Sequence, residues 1–296
     1  MVHYTKCPLC NSENAGPYLS VEDHFLTKEV FQLLKCPSCG FVFTQDHPDE
    51  SNISRYYESE DYISHNDSKK GFSDRLYRLS RRIMLKKKKQ LVQTSTGINK
   101  GSLLDIGSGT GHFISVMKDG GWEVQGIEIN DKAREYSVSK TGLNIIPPAG
   151  ISSLPSKSFD CITLWHVLEH LQDPFGYASE IKRLLKAGGT CITALPNCNS
   201  FDAMHFRDFW AAYDVPRHLW HFNPASFGIF TGKAGFEIKR VRSLPLDVFY
   251  ISMLSEKYKG NKLYFITGII KALIFSFLSF FNKKKSSSII YLLQKL

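Results

Sequence analysis

Residues 103–111 read Leu103-Leu104-Asp105-Ile106-Gly107-Ser108-Gly109-Thr110-Gly111, and 23 residues after Asp105 comes Glu128, within Val124-Gln125-Gly126-Ile127-Glu128-Ile129-Asn130. The first apolar run predicts a buried strand ending in a tight glycine turn, and the second a strand ending in a carboxylate. In an open α/β sheet both ends lie at the carboxyl edge, where ligands bind. Glycines there let the backbone pass close to a ligand, and Glu128 can accept from two ribose hydroxyls. A dinucleotide turn needs G-x-G-x-x-G, but His112 stands in the third slot. A phosphate-cradling loop would need a Gly-Lys-Ser/Thr ending, which is absent. Asp105, just ahead of the turn, suits a ligand with a cationic end better than a pyrophosphate.

Outward from this turn the chain alternates. Strands are predicted at about 102–106, 123–128, 143–146, 159–164, 190–195 and 236–243, with helices at 111–118, 131–140, 174–186 and from Asn223-Pro224 to Gly235. Asn as N-cap with Pro in the first turn starts that last helix, and Gly120-Gly121 ends the first. Ser288-Ile-Ile-Tyr-Leu-Leu293 reads as a seventh strand beside the sixth. Such alternation predicts an α/β, Rossmann-like parallel sheet with helices on both faces.

The glycine turn and Glu128 resemble the first two motifs of class I S-adenosylmethionine-dependent methyltransferases. The likeness continues through Ser158-Phe-Asp-Cys-Ile-Thr-Leu-Trp-His-Val-Leu-Glu-His-Leu-Gln-Asp-Pro174 and Leu184-Leu-Lys-Ala-Gly-Gly-Thr-Cys-Ile-Thr-Ala-Leu-Pro-Asn197, over roughly residues 99–243. It implies a seven-stranded methyltransferase sheet with S-adenosyl-L-methionine as cofactor, held by Asp105, Gly107, Ser108, Gly109, Gly111, Glu128, Ile129 and Trp165. Two departures stand out. Pro147-Pro-Ala-Gly150 lacks the acid that many relatives offer the adenine amine, leaving backbone groups around Ile151 to substitute. Ala187 replaces the common proline before Gly188-Gly189.

Met1 is followed by a polar, cysteine-bearing segment, which predicts a cytoplasmic protein without a secretory leader. Cys7-Pro-Leu-Cys10 and Cys36-Pro-Ser-Cys39 form two C-x-x-C pairs, which in that setting favour a metal over disulfides. Four thiolates fill a tetrahedral zinc site and leave no open position, so a structural zinc ribbon is expected over 1–48, with a strand pair near 18–21 and 32–34. A segment this short has too little core of its own, which would leave most of its folding energy to the metal. Residues 49–98 read as a tyrosine-rich helical lid or linker, with Tyr56, Tyr57 and Tyr62 as lid candidates. A helix over 73–93 would bury Leu76, Leu79, Ile83 and Met84 and end in a solvated Lys86–Lys89 run.

The net charge is +9. Residues 73–93 and 256–296 carry +7 each, which leaves −5 for the remainder, so the core at 99–246 is not a polyanion-gripping surface. Leu263–Phe281 is nearly all apolar, with lysines on both sides and Lys271 near its middle. A central charge is costly in a bilayer, and a seventh strand must return to the sheet at 286–296. We therefore read 247–285 as a helical insertion lying on a membrane surface. A helical hairpin packed on the protein or on a second subunit, and a true span, are the other readings.

For methyl transfer to a hydroxyl a base should take the acceptor's proton. His166 directly follows a strand at the ligand edge and is the candidate. His166-x-x-Glu169-His170 also spells an inverted zinc-protease pattern, but its place after a strand among methyltransferase motifs rejects that reading. Some small-RNA and quinone methyltransferases place metal ligands in this same loop, so His166, Glu169 and His170 with His218 or His221 form a candidate second metal site. Tyr213, Arg217, His218 and His221 lie in a 197–222 loop rich in aromatics, which suits a sugar ring carrying phosphate. This loop resembles the Asp-x-Pro-Arg-His stretch of sugar and small-molecule methyltransferases that often carry an N-terminal zinc-binding segment. The leading expectation is O-methylation of a glycan, nucleotide-sugar or lipid-linked sugar at the inner face of a membrane. The alternatives are an RNA methyltransferase, disfavoured by a core without excess basic charge and by the lack of an Asn/Asp-Pro-Pro-Tyr signature, a quinone-type O-methyltransferase, and a ribbon-bearing scaffold without activity.

Overall fold

The first cysteine pair is followed by two antiparallel strands, β1 (Gly16–Glu22) and β2 (Val30–Lys35), and the second pair by β3 (Val42–Thr44). In the computed structural model residues 1–57 and 72–296 are described, and side chains within 72–80 are not. Tyr62 therefore lies outside the described residues, as do the side chains of Leu76 and Leu79. Helix α1 (Phe72–Thr96) leads into β4 (Ser102–Ile106), α2 (His112–Asp119), β5 (Glu123–Ile127), α3 (Asp131–Thr141) and β6 (Ile145–Ile146). Then come β7 (Phe159–Trp165), α4 (Pro174–Leu184), β8 (Leu185–Pro196), α5 (Phe201–Phe206), β9 (Trp220–His221), α6 (Pro224–Lys233) and β10 (Phe236–Ser243). Helices α7 (Asp247–Tyr258) and α8 (Tyr264–Phe281) precede the last strand, β11 (Ser288–Lys295).

The large sheet has the order β10-β11-β8-β7-β4-β5-β6. Pairs β6–β5, β5–β4, β4–β7 and β7–β8 are parallel, whereas β11 runs antiparallel to both β8 and β10. Leu103, Leu104 and Ile106 are all buried, as expected for a parallel strand covered on both faces. Strand β8 starts at Leu185 rather than at 190, because Leu185 already pairs with Phe159. Asn223 caps α6 with a full capping box, its side chain accepting from Ala225 and Ser226.

The N-terminal segment is not a free-standing ribbon. Its sheet has the order β1-β2-β3-β9, so its fourth strand is supplied by the loop that follows β8. Cys7, Cys36, Cys39, Phe41 and Phe43 share one core with Leu104, Ile162, Leu168 and Trp220. At about 1.5–3 kcal/mol for each large apolar side chain buried, that shared core adds to whatever a metal contributes.

Arg217 joins the two parts and does not face an acceptor. Its side chain is 2% exposed, with Nη2 at 2.7 Å from both Asp23 and Asp214 and Nη1 donating to the Tyr56 carbonyl. The guanidinium also lies over Phe25. Asp23 is equally buried and accepts the N–H groups of Phe25, Leu26 and Thr27. With its donor fork thus occupied, Arg217 has no face left for a phosphate, which corrects the expected acceptor role. Tyr56 is buried too, its hydroxyl donating to Glu29, so it is an anchor of the β-sheet segment and not a lid. Ile83 is 44% exposed, and Leu91 and Val92 form the buried face of α1 instead.

Removing one partner of a buried ion pair costs about 3–5 kcal/mol. For a chain of this size that corresponds to a fall in melting temperature of roughly 6–20 °C. Arg217→Ala should show this by calorimetry; a variant melting like the wild type would return Arg217 to ligand binding.

Candidate functional site

The glycine turn after β4 is fixed from below by β5: the N–H groups of Gly107 and Ser108 both donate to the Ile127 carbonyl, at 2.7 and 2.9 Å. Gly107, Gly109 and Gly111 have φ of +74°, +54° and +76°, a region that favours glycine. Their surroundings differ. A Cβ at Gly107 would lie 2.3 Å from Val167 Cγ2, and one at Gly111 would lie 2.1 Å from Ser137 Oγ, whereas one at Gly109 would meet nothing within 4 Å. Gly107 and Gly111 are packed against protein, and Gly109 faces open space.

Glu128 shares that space. Its Oε2 accepts from the Gly109 N–H at 2.7 Å and its Oε1 from the Asn130 N–H at 2.9 Å, so turn and carboxylate border one cleft. Each oxygen keeps a lone pair for a further donor. Ile129 beside it is 70% exposed. Asp105 sits under the turn, accepting from Thr163 Oγ1 at 2.5 Å. Burial pushes its carboxyl up to about 7, against the pull of Thr163 and Lys88. These groups fit an adenosine-bearing cation: a carboxylate for hydroxyls, an unobstructed backbone, and a buried acid in want of positive charge. The Ile151 carbonyl already accepts from Arg183 and from Leu154, so it offers little to an adenine amine.

The second wall comes from the end of β7. Val167 packs on Gly107, which sets His166 beside the turn. His166 has φ +57°, a strained conformation for a side-chain-bearing residue. Its Nδ1 lies 3.3 Å from Glu169 and its Nε2 2.8 Å from Asp247, the first residue of α7. Burial would lower its pKa, but the two carboxylates outweigh that and push it up to about 10. His166 is thus an imidazolium in this arrangement, and it can act as a base at Nε2 only after Asp247 gives way and the Nε2 proton leaves. Asp247 had no local sequence signal, reading as an ordinary acid at a helix start. Lys88 also departs from the expected solvated run. Its ammonium lies 4.2 Å from the Trp165 ring centre, and burial lowers its pKa while Asp105 and Asp247 oppose that.

Behind His166, Glu169, His170 and His218 bring one ligand atom each within 4.8 Å of the others. Nδ1–H of His170 donates to the Arg217 carbonyl and that of His218 to the Ala212 carbonyl, which leaves the Nε2 lone pairs, that of His218 3.9 Å from Asp214, to a cation. Burial takes the pKa of His170 down to about 4. Glu169 is 1% exposed, and neither of its oxygens accepts an aligned hydrogen bond among the described residues. His221 does not join them: it is buried against Tyr213, with Nε2 at 3.0 Å from Thr44 Oγ1. Tyr213 is 1% exposed and packs edge-on against Trp210. Of the four residues expected to meet an acceptor, three are spent on the fold: Arg217 on Asp23, His221 on Thr44 and Tyr213 on the loop's own core. Only His218 lies beside Glu169 and His170.

The four cysteines do converge. Cys7 and Cys39 sulfurs lie 3.6 Å apart, Cys10 and Cys36 sulfurs 3.5 Å, and all four fall within 4.8 Å of one another. A zinc–sulfur bond of about 2.3 Å implies a sulfur–sulfur separation of about 3.8 Å in a tetrahedron, so the cluster has the size of such a site. The two loops match: Asn11 N–H donates to the Cys7 carbonyl, Gly40 N–H to that of Cys36, and both donors have positive φ.

Residues 74–241 match a family described as a methyltransferase domain. Among curated proteins, the chain is 29% identical over 112 residues to the ubiquinone biosynthesis O-methyltransferase of Psychrobacter arcticus, covering 35% of this chain and 44% of that one. It is 28% identical over 177 residues to the enzyme of the same description from Pseudomonas aeruginosa, covering 54% and 75%. The match thus spans less than half the length of the first of these relatives. Among solved structures, the magnesium protoporphyrin IX methyltransferase of Synechocystis, with bound S-adenosylhomocysteine, superposes with a TM-score of 0.55 at 13% identity, over 84% of this chain and 100% of that one. That likeness speaks for the fold. With the family match covering more than half of the sequence, the chain belongs to the methyltransferase-domain family.

Proposed function

We propose that this enzyme methylates a hydroxyl oxygen on a glycan-type acceptor, foremost a lipid-linked sugar, at the cytoplasmic face of a membrane. The observation that carries the oxygen chemistry is the Glu169–His166 pair at the end of β7, one residue from the contact with Gly107. Asp105, Gly107, Ser108, Gly109, Gly111, Glu128, Ile129 and Trp165 would hold S-adenosylmethionine, which supplies an electrophilic methyl group when bound. Glu169 lies beside Nδ1 of the imidazole; when the acceptor displaces Asp247, the Nε2 proton leaves to solvent, and the neutral Nε2 then takes the acceptor's proton. Positioning of this kind is the larger share of what a protein does for an in-line displacement.

A phenolic, quinone-type acceptor is the second reading, favoured by the descriptions of the curated relatives and by the loss of Arg217 as a phosphate partner. An RNA acceptor has no such support. Labelled methyl donor incubated with whole-cell extract should put its label into an O-methyl sugar recovered from the lipid fraction by acid hydrolysis. Label in an apolar aromatic lipid would establish the second reading, and label in RNA would overturn both. His166→Asn should lower kcat by about 10²–10⁴ without changing affinity for S-adenosylhomocysteine; full activity in that variant would remove His166 from the chemistry.

The cofactor assignment separates by glycine. Gly109→Ala should fold with a loss of about 1–2 kcal/mol from its positive φ, yet bind S-adenosylhomocysteine at least tenfold more weakly by calorimetry. Gly107→Ala and Gly111→Ala should instead lower the melting temperature, because their Cβ atoms strike Val167 and Ser137. Glu128→Ala should weaken binding and leave melting nearly unchanged. Equal affinity in Gly109→Ala and Glu128→Ala would mean that the cleft is not the cofactor site.

We also propose that Cys7, Cys10, Cys36 and Cys39 hold a structural zinc ion. Purified protein should contain one zinc that Cys36→Ser/Cys39→Ser loses, with a lower melting temperature. Any divalent metal beyond that one should disappear in His218→Ala if Glu169, His170 and His218 bind it. A stoichiometry of one in both wild type and His218→Ala ends the case for a second metal.

A further inference from the structure

We infer that α8 is a membrane-docking helix that lies in the surface of an anionic bilayer with its outward face inserted. The helix has 18 residues with a mean hydropathy of 1.9, about 27 Å of length at 1.5 Å per residue. Only Gly268, Ala272 and Phe275 are buried, against α7 and α5. Gly268 allows the close approach to α7, since a Cβ there would lie 2.6 Å from Met253 Cα. On the other side Phe265, Ile266, Leu273, Phe277, Phe280 and Phe281 are each more than half exposed. With Ile270 and Ile274, also more than half exposed, they make one apolar face along the helix, where a soluble monomer ordinarily shows apolar side chains singly or in small patches.

Lys271, the one charge in the helix, does not interrupt that face. It turns inward, with Nζ at 2.6 Å from Glu256 Oε1, 2.9 Å from His205 Nε2 and above the Phe206 ring. Glu256 is itself buried and is the last acidic residue of the chain. The outward face is therefore free of charge along its whole length. Lys257, Lys259 and Lys262 stand exposed before it, and Lys283 and Lys284 after it.

Two features reject a span. The helix packs along its length on α7, and three residues beyond the Lys283–Lys285 turn the chain enters β11, between β10 and β8. Charge also decides between a bilayer and a second copy of this chain. Both ends of the face are positive, so self-packing in either direction sets lysines against lysines, with no acid on the face to pair them. Anionic headgroups neutralise both ends at once. The same hairpin carries Asp247 to 2.8 Å from His166, so docking sets the catalytic edge close to lipid. The inference stands on the helix itself and holds for any acceptor, whether or not the proposed one is right.

The test is flotation of the full-length protein with phosphatidylcholine vesicles, with and without 30 mol% phosphatidylglycerol. The wild type should float with the anionic vesicles, and raised salt should reduce the floated fraction. Phe277→Glu/Phe280→Glu should lower flotation at least tenfold while binding S-adenosylhomocysteine normally, which shows that the fold is kept. Lys283→Gln/Lys284→Gln should remove the preference for anionic lipid. Wild-type protein that stays at the bottom with anionic vesicles overturns the inference, as does a double-Glu variant that still floats. So does a wild-type dimer by light scattering that the double-Glu variant converts to monomer without any vesicle binding, which gives the face to a second copy. No methyl acceptor enters the experiment, so its outcome is separate from that of the acceptor assay.

Discussion

Strand β11 runs antiparallel between two strands that point the other way, and the architecture of the ligand edge follows from that. Because β10 and β8 both end at the carboxyl edge of the sheet, β11 must begin there. Residues 244–287 therefore leave and return at the edge where the glycine turn and Glu128 lie. Ser288 pairs with Pro196, so the loop of residues 197–222 starts from the same rim. A hairpin confined to that rim can lower its first residue, Asp247, onto His166 and still present a second helix to the outside. Had the last strand been parallel, its connection would have crossed to the opposite edge, and neither contact would exist.

The same rim explains the N-terminal segment. A ribbon with its own small sheet could have been tethered anywhere, but β3 pairs with β9 and Thr44 bonds to the carbonyls or side chains of His218, Leu219 and His221. Arg217, between Asp23 and Asp214, closes the joint from within. The segment that carries the cysteine cluster is thereby coupled to the position of His218 beside Glu169 and His170. Ordering a long loop costs about 1–2 kcal/mol per residue in backbone entropy, and here a second sheet shares that cost.

Much of the fold was legible because its signals are local. The glycine turn, the apolar runs, the Asn223-Pro224 cap and the apolar Ser288–Leu293 run each declare themselves within a few residues, and the last strand pairs beside β10 as they imply, whereas the strand order and the antiparallel direction of β11 carry no local signal. The site was legible only in part. Gly109 and Glu128 meet because both strand ends are fixed by one sheet. Arg217, Tyr213 and His221 misled for the opposite reason. Aromatic and cationic residues in a loop look available until partners cover them, and two of those partners, Asp23 for Arg217 and Thr44 for His221, lie in a distant part of the chain. Asp247 and Lys88 were missed likewise: an acid at a helix start and a lysine in a basic run carry no mark of the buried groups they meet.

Charge in the cleft then has a consequence for what it can hold. Asp105, Glu128, Glu169 and Asp247 bring four carboxyls to one edge, and Lys88 and the imidazolium of His166 answer two of them. Two backbone N–H groups satisfy Glu128 without neutralising it. At Asp105 burial raises the carboxyl to about 7, and the nearby Glu128 adds to that push. A dinucleotide or a phosphate would add negative charge to a cleft that already resists it. A ligand bearing a sulfonium and an ammonium would draw the proton from Asp105 and relieve that resistance, and departure of the sulfonium charge on methyl transfer would weaken the hold on what remains. The electrostatics of this edge thus favour the charged donor over its neutral-sulfur product.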